Sequence, residues 1–501
     1  MDINCFIDND VKKKIEILDY LRTIEGYKNG IEIAHELSID RKTSYKYLEE
    51  LLIFAEEQKV SFLLDYVKGK GYQINENHTK EYLFLKKKMV ESCFPIIFLI
   101  NLLSKDESLT NLIEKYHISE AFINKKMCDM RKNLEEYSLT IVYKKGFFSI
   151  EGPENKIRFF YFNFLWTIYR GSEWKYEGIS QDELLKSLNH YIEKLDIPVS
   201  GNGRLQIAYF LAITIIRYNR KKEISADFFN TEYSTLFTLI GEETGLQKYW
   251  FAKINKSKVE SNYFLAFLST RVTFTLKYSD LYLENNNYIE HTQAWLATQE
   301  VIMYFDKNIY PLDSDKKDEF KKYLYSINLY TDFFYDKKDP LEFFLNSSTE
   351  KYLIRTTNIF NEMCEKLYIK TGYSLFEKVE YLVNQYSVAL AKVEDLTFLE
   401  PQISVLVDTD MPYSETKIFL RELSNIMTLH FNVVLCDRYK DIQLEQKYDL
   451  LVTTTDINYS LVEPKLRYEY IAYVDSSVSL KDYRQLDLIL LEIYESKLKE
   501  S

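Results

Sequence analysis

The chain has 501 residues, of which 46% are hydrophobic and 28% charged, with only 13 glycines and 8 prolines. This length exceeds what one core accommodates and few residues are left for linkers, so we expect several packed, mainly α-helical domains. No apolar stretch reaches the ~20 residues of a membrane span and no signal peptide opens the sequence, which favours a cytoplasmic protein without membrane contact. The five cysteines lack metal-ligand spacing, so no metal or other cofactor is expected.

The formal net charge of −12 is unevenly distributed along the chain. Residues 1–158 contain 25 basic and 26 acidic side chains, so most of the negative charge lies in the other two thirds. A strongly basic domain binds nucleic acid by its overall charge, and this chain has none. A DNA-binding surface therefore has to be a local cluster of basic residues.

A helix-turn-helix pattern lies near the N-terminus. Residues 31–51 predict a short helix, a tight turn and a second helix that Asp40 can cap. One face of the second helix carries its small and apolar side chains, Ser44, Leu48, Leu51 and Ala55. The opposite face, at the end that enters a major groove in such motifs, carries the candidate DNA contacts Arg41, Lys42, Thr43, Tyr45 and Lys46.

A basic hairpin follows the second helix. Two β-type runs are predicted, Val60–Leu64 and Gly71–Ile74, and the turn between them contains Lys68 and Lys70. This arrangement is typical of the wing of a winged helix, so we expect both lysines to reach DNA phosphates.

The same pattern recurs about 79 residues later in a weaker form. Asp40 corresponds to Ser119, and Leu48 corresponds to Met127. The candidate DNA contacts of this second unit are Asn124 and Lys125 on its second helix and Lys144 and Lys145 in its wing. Two copies of one pattern predict DNA binding more strongly than either copy alone.

The rest of the chain divides into a helical middle and a different C-terminal part. The middle has amphipathic helical patterns, a break near residues 285–287 and no catalytic motif. The last ~100 residues carry short apolar runs typical of buried strands, which predicts a small α/β doubly wound domain. The predicted domains are two winged helix-turn-helix units at 1–75 and 76–155, two helical bundles at 156–285 and 286–395, and the α/β domain at 396–501.

The doubled unit, the run Phe148–Arg158 that leaves the second wing, the paired helical bundles and the terminal α/β domain together resemble the Mga/AtxA family of bacterial transcription regulators. The resemblance implies that the bundles are PRD-like modules, the regulation domains of the sugar phosphotransferase system. It also implies that the last domain is EIIB-like. The implied partners are double-stranded DNA, a second copy of the chain in a homodimer, and phosphocarrier proteins of the phosphotransferase system.

Three departures from the family pattern qualify these expectations. The second recognition helix begins with Glu120 and Ala121 in place of basic residues, so we expect it to contribute less affinity. Residues 205–210 resemble the stretch where antiterminator-type PRDs carry a phosphorylatable histidine, and they contain none. The loop Asp408–Ser414 lacks the cysteine that accepts phosphate in a working EIIB, so we expect no phosphotransfer there.

Two histidines are candidates for regulatory phosphorylation. His190 lies opposite the apolar face of its predicted helix, and His291 lies near the start of a later helix. Both are expected to be exposed within the helical bundles, where a phosphoryl group would add negative charge. Ordinary surface histidines have the same signature.

Two other functions fit parts of the sequence. Asp408 and Asp410 at the end of a predicted strand resemble the Mg²⁺-binding pair of haloacid-dehalogenase-type phosphatases, but no further acidic pair with a basic residue follows, and such aspartates commonly cap helices. A signalling or scaffold protein would use its helix-turn-helix units to bind protein. A DNA-binding regulator without catalytic activity is favoured over both.

Overall fold

A computed structural model describes residues 3–75, 78–251, 257–278, 289–335, 352–428, 430–437 and 447–500. The fold is mainly helical, with short antiparallel strands near the N-terminus and a small parallel sheet near the C-terminus. The chain forms two compact units, one of residues 1–281 and 333–340 and one of residues 282–332 and 341–501. The break expected near 285–287, and with it the bundle boundary at 285/286, lies outside the described residues.

Two winged helix-turn-helix units open the first compact unit, and the second contains one more helix and one more strand than the first. The first consists of α1 (Asn9–Thr23), α2 (Gly30–Glu36), α3 (Arg41–Glu57), β1 (Leu64–Val67) and β2 (Gly71–Ile74). The second consists of α4 (Thr79–Glu91), α5 (Phe94–Ser104), β3 (Glu107–Ser108), α6 (Leu109–Tyr116), α7 (Glu120–Glu135), β4 (Thr140–Lys144) and β5 (Phe147–Glu151). Each unit ends in an antiparallel hairpin, and β3 adds a third strand to the second hairpin.

The predicted repeat is confirmed by the burial pattern of the two recognition helices. The residues of α3 that are buried are Ser44, Leu48, Leu51 and Ala55, and those of α7 are Ile123, Met127, Met130 and Leu134, each 79 positions later. Because the same face is buried in both helices, the opposite face of each is left exposed at equivalent positions.

The predicted first strand, Val60–Leu64, is wrong. Ser61–Leu63 form a 3-10 helix and β1 begins at Leu64. The buried residues of this stretch are Val60, Leu63 and Leu64, which is the spacing of a helical turn and does not alternate as a half-buried strand does.

Helices build the rest of the first unit. They are α8 (Glu154–Tyr169), α9 (Gln181–Leu195), α10 (Gly201–Asn219), α11 (Thr231–Glu243), α12 (Leu246–Phe251), α13 (Lys258–Ser269) and α14 (Val272–Lys277). The face of α9 that the sequence predicts to be apolar is buried, including Leu184, Leu188 and Ile192.

A buried ion network joins three of these helices. Arg158 of α8 is fully buried and donates to both oxygens of Glu260 on α13. Glu154 accepts from Arg158 and, through both oxygens, from Arg217 at the end of α10. Two positive and two negative charges therefore compensate one another where water is largely excluded, and they fasten the helix that leaves the second wing to the helical bundle.

The second compact unit combines helices with the parallel sheet. Its helices are α15 (Gln293–Asn308), α16 (Ser314–Phe333, with its last residue in the first unit), α17 (Ile354–Thr371), α18 (Val379–Leu390), α19 (Tyr413–Met427), α20 (Tyr459–Val462) and α21 (Leu480–Glu500). Its strands are β6 (Gln402–Asp408), β7 (Asn432–Asp437), β8 (Lys447–Thr453) and β9 (Arg467–Tyr473).

The strands are parallel in the order β7-β6-β8-β9, as a small doubly wound domain requires. Phe419 of α19 and Leu486 of α21 share one core with β6 and β8, whereas Tyr459 of α20 packs on the other face. The buried carboxylate of Glu400 accepts from Tyr494 of α21 and from the start of α17, which ties the sheet to the neighbouring helices. No helix in the described part of the chain is long and apolar enough to cross a membrane.

Candidate nucleic-acid interface

The start of α3 is fixed by the predicted cap. The Asp40 carboxylate accepts from the backbone N–H of Lys42 at 3.0 Å and of Thr43 at 2.9 Å, and also from the Thr43 hydroxyl. These hydrogen bonds, led by that of the hydroxyl, lower the pKa of Asp40, so the cap is ionised at neutral pH. The hydroxyl of Thr43 is therefore engaged in the cap, although the sequence suggested it as a DNA contact.

Close packing holds α3 against α2. The Ser44 hydroxyl donates to the Gly30 carbonyl at 2.9 Å. The ring of Tyr45 leaves no room for a side chain at position 30, since a Cβ there would lie 2.7 Å from Tyr45 Cε1. Tyr45 is half-buried as a result, so part of its surface stabilises the helix-turn-helix itself.

The basic candidates of the first recognition helix share an exposed surface. Arg41, Lys42 and Lys46 are all exposed, and Lys46 retains 68% of its side-chain surface although it lies 3.7 Å from Glu50. They occupy the first turns of α3, where the N-terminal end of the helix also favours anions. This surface, which we call the α3 basic face, can bind phosphates or the acceptor edges of guanine.

The first wing places its lysines at an exposed turn. Lys68 and Lys70 flank Gly69 between β1 and β2. Beside them, Tyr72 exchanges two backbone hydrogen bonds with Lys28 at 2.9 and 2.8 Å, which attaches the hairpin to the segment before α2. Tyr72 is buried, and burial raises its pKa to about 12, so it stays neutral. The wing is thus attached to the rest of the unit next to its turn, while its lysines are exposed.

The second unit repeats this geometry with fewer positive charges. Ser119 caps α7 by accepting from the N–H of Phe122, and Asn124 and Lys125 are exposed. In the wing Lys145 is exposed, and Lys144 forms an ion pair with Glu151 at 2.7 Å.

Two exposed aromatic residues were missed by the sequence reasoning. Tyr66 on β1 and Tyr143 on β4 are both about half exposed, and each ring lies 4.7 Å, centre to centre, from an aromatic ring of the adjacent strand. Alignment of the two wing turns at Gly69 and Gly146 places these tyrosines at equivalent positions. Comparison of the two wing sequences, aligned at these glycines, is therefore enough to identify both tyrosines.

The remaining candidate residues lie elsewhere in the molecule. His190 on α9 and His291 just before α15 are both exposed. Asp408 accepts from the Tyr459 hydroxyl and Asp410 from the Thr454 hydroxyl, each at 2.8 Å. Among the described residues, no three His, Cys, Asp or Glu side chains are grouped to hold a metal ion.

Comparison with known proteins identifies a family for the N-terminal part. Residues 78–165, which contain the second winged unit and most of α8, match the Mga helix-turn-helix domain. Over 285 residues the chain is 23% identical to the capsule synthesis positive regulator AcpB of Bacillus anthracis, covering 51% of this chain and 58% of that protein. It is 19% identical over 219 residues to the capsule synthesis positive regulator AcpA of the same organism, covering 44% of each chain.

These alignments span about half the length of the two curated relatives. Both relatives are named as positive regulators, in agreement with the expectation of a regulator without catalytic activity. Together with the doubled winged helix-turn-helix, the matches support the expected similarity of this chain to the Mga/AtxA family of bacterial transcription regulators.

Proposed function

We propose that this chain regulates transcription by binding double-stranded DNA, mainly through its first winged helix-turn-helix unit. The observation that carries the proposal is the α3 basic face, formed by the exposed residues Arg41, Lys42 and Lys46 in the first turns of α3, with Lys42 and Lys46 opposite its buried residues. A positive cluster at the N-terminal end of an exposed recognition helix suits the major groove, and the exposed wing lysines suit the phosphates beside it.

The two units contribute unequally in this proposal. Glu120 opens α7 at the position equivalent to Arg41, and its negative charge repels phosphate. Lys125 remains as an exposed lysine on α7, and Lys145 at its wing. We therefore assign positioning of the chain on DNA to the second unit and most of the affinity to the first.

Removal of two lysines from the α3 basic face tests the proposal. Lys42→Ala with Lys46→Ala should leave the fold intact, because neither residue is buried, and should weaken DNA binding by about 1–3 kcal/mol for each lysine that hydrogen-bonds to a base edge. Lys366 and Lys370 on α17 are also exposed and four residues apart, so their double alanine variant is a matched control for the change in charge. Equal affinities of the two double variants in fluorescence anisotropy would place the contact surface elsewhere.

For the helical bundles we propose PRD-like modules that respond to phosphorylation of His190 or His291. His190 lies on the exposed face of α9 with Lys186 and Asn189 around it, and a lysine one turn away can pair with a phosphoryl group. Incubation with phosphocarrier proteins and phosphoenolpyruvate, followed by peptide mapping, tests this. If neither histidine is labelled, the proposal is wrong and the modules must respond to a different signal.

For the C-terminal sheet we propose an EIIB-like domain that holds a homodimer and transfers no phosphate. Its loop Asp408–Ser414 has no cysteine, and Leu461 and Val462 expose 77% and 62% of their surface nearby on α20. Because Glu400 and Tyr494 also support α17, point variants are a cleaner test than truncation.

Leu461→Asp should shift the full chain toward monomer in analytical ultracentrifugation. Ile369→Asp changes an equally exposed apolar residue on α17 and serves as the control. A Leu461→Asp protein that is still fully dimeric would place the interface in another part of the chain.

A further inference from the structure

A cavity of about 130 Å³ lies inside the first compact unit, between α9, α10, α13 and α14. Its walls are mostly apolar and include Leu188, Ile192, Ile207, Leu268 and Phe274. Cavities of about 150 Å³ with such walls stay dry and bind a benzene-sized molecule. The size and lining therefore suit one small ring or a branched aliphatic group.

A single arginine gives this apolar cavity a positive charge at its wall. Arg271 lies between α13 and α14 and lines the cavity. Its guanidinium is oriented by neighbours on two sides, since Nη1 donates to Gln206 Oε1 at 2.9 Å and Cζ lies 4.5 Å from the centre of the Phe267 ring. A planar cation held in this way is well suited to a carboxylate.

We propose that this cavity is a binding site for a small amphipathic carboxylate, with its apolar group among the leucine and isoleucine side chains and its carboxylate at Arg271. Low polarity around the arginine strengthens the ion pair relative to water. A sugar or a sugar phosphate fits less well, because its hydroxyl groups would be buried among side chains that cannot hydrogen-bond to them. The site is distinct from the DNA-binding surface and from both histidine candidates.

One helix, α10, both lines the cavity and leads to a contact with the second winged helix-turn-helix unit. Ile207 in the first half of α10 lines the cavity, whereas Arg220, which follows its last residue, donates to the carbonyls of Leu102 and Leu103 at the end of α5. A ligand in the cavity would thus contact the helix whose other end holds α5.

Phenylacetate and its neutral isostere phenylacetamide are suitable probes for isothermal titration calorimetry on the full chain without DNA. We expect phenylacetate to bind, and Arg271→Gln to weaken its binding about tenfold or more while phenylacetamide is little affected. Val199→Phe, which places a ring at a lining position from a partly exposed loop, should abolish binding of both probes. Lys248→Gln removes a positive charge from an exposed position on α12 that does not line the cavity, and should change neither.

The proposal would be overturned by lack of phenylacetate binding to the unmodified chain at about 10 mM, or by equal weakening of both probes in Arg271→Gln. Unchanged binding in Val199→Phe would also overturn it, because the probe would then lie elsewhere. Far-UV circular dichroism shows whether either variant fails to fold. If one of Arg271→Gln and Val199→Phe does not fold, the other still tests the proposal. Since no DNA is present, these outcomes are independent of the proposed regulatory function.

Discussion

The buried ion network makes a direct prediction about stability. Glu260 and Arg158 are both fully buried, and each Glu260 oxygen accepts from a different guanidinium nitrogen of Arg158. Glu260→Gln keeps the side-chain shape and one acceptor oxygen but removes one of the two negative charges. Arg158 and Arg217 would then share Glu154 alone, which leaves about one uncompensated positive charge in a site with little water.

Removal of one partner from a buried pair typically destabilises a protein by about 3–5 kcal/mol. We expect the lower end, about 3 kcal/mol, because the glutamine oxygen can still accept from the N–H of Ile224, which donates to Glu260 at 2.9 Å. The matched control is Asp196→Asn, which removes the exposed ion pair of Asp196 with Lys277 in the same compact unit. Exposed pairs contribute less than about 1 kcal/mol.

Urea unfolding followed by tryptophan fluorescence measures both variants, since Trp166 and Trp174 belong to this unit. Adding Arg158→Met to Glu260→Gln should recover part of the stability, because the unpaired charge is then removed as well. A Glu260→Gln variant as stable as Asp196→Asn would refute the view that these charges are mutually dependent.

Two further predictions concern the N-terminal part. Burial raises the pKa of Glu173, but Lys175, Lys87 and Lys88 lower it from 4.5 to about 2, so its stabilisation is complete above about pH 4.5 and is lost as the pH falls toward 2. The free energies of unfolding of Glu173→Gln and the unmodified chain, measured with urea, should therefore differ by up to about 3 kcal/mol at pH 7 and converge at low pH. A difference that does not change with pH would contradict this. Gly71→Ala should lower the melting temperature more than Gly69→Ala. Both glycines have positive φ, but only a Cβ at position 71 would collide with another residue, at 2.2 Å from the Lys28 carbonyl oxygen. Equal melting temperatures of the two variants would contradict this.

The recognition helices could be predicted from the sequence because their buried positions follow the 3.6-residue repeat of an amphipathic helix. Asp40 as a cap and the buried positions of α3 follow from side-chain types and the 3.6-residue repeat, and the second copy at 79 residues supports the first. The parallel sheet could be predicted for a similar reason, since its strands are the short apolar runs in the last ~100 residues.

Other features depend on contacts that no local pattern encodes. The partly buried ring of Tyr45 results from the absence of a side chain at Gly30, which is distant in sequence. Arg158 and Glu260 are separated by 102 residues, and each alone resembles an ordinary surface charge in the sequence. The cavity at Arg271 likewise needs four helices to be in place before its lining can be recognised.

The salt dependence of DNA binding tests the central proposal most directly. The affinity of the full chain for a 30-base-pair duplex should fall steeply as salt rises, because each phosphate contact releases about one counterion. The Lys42→Ala, Lys46→Ala variant should show a slope of log affinity against log salt that is shallower by about 2 if both lysines contact phosphates, whereas the Lys366, Lys370 control should keep the original slope. An affinity that does not change with salt, or identical slopes for both variants, would contradict DNA binding through the α3 basic face and would favour a helix-turn-helix that binds protein.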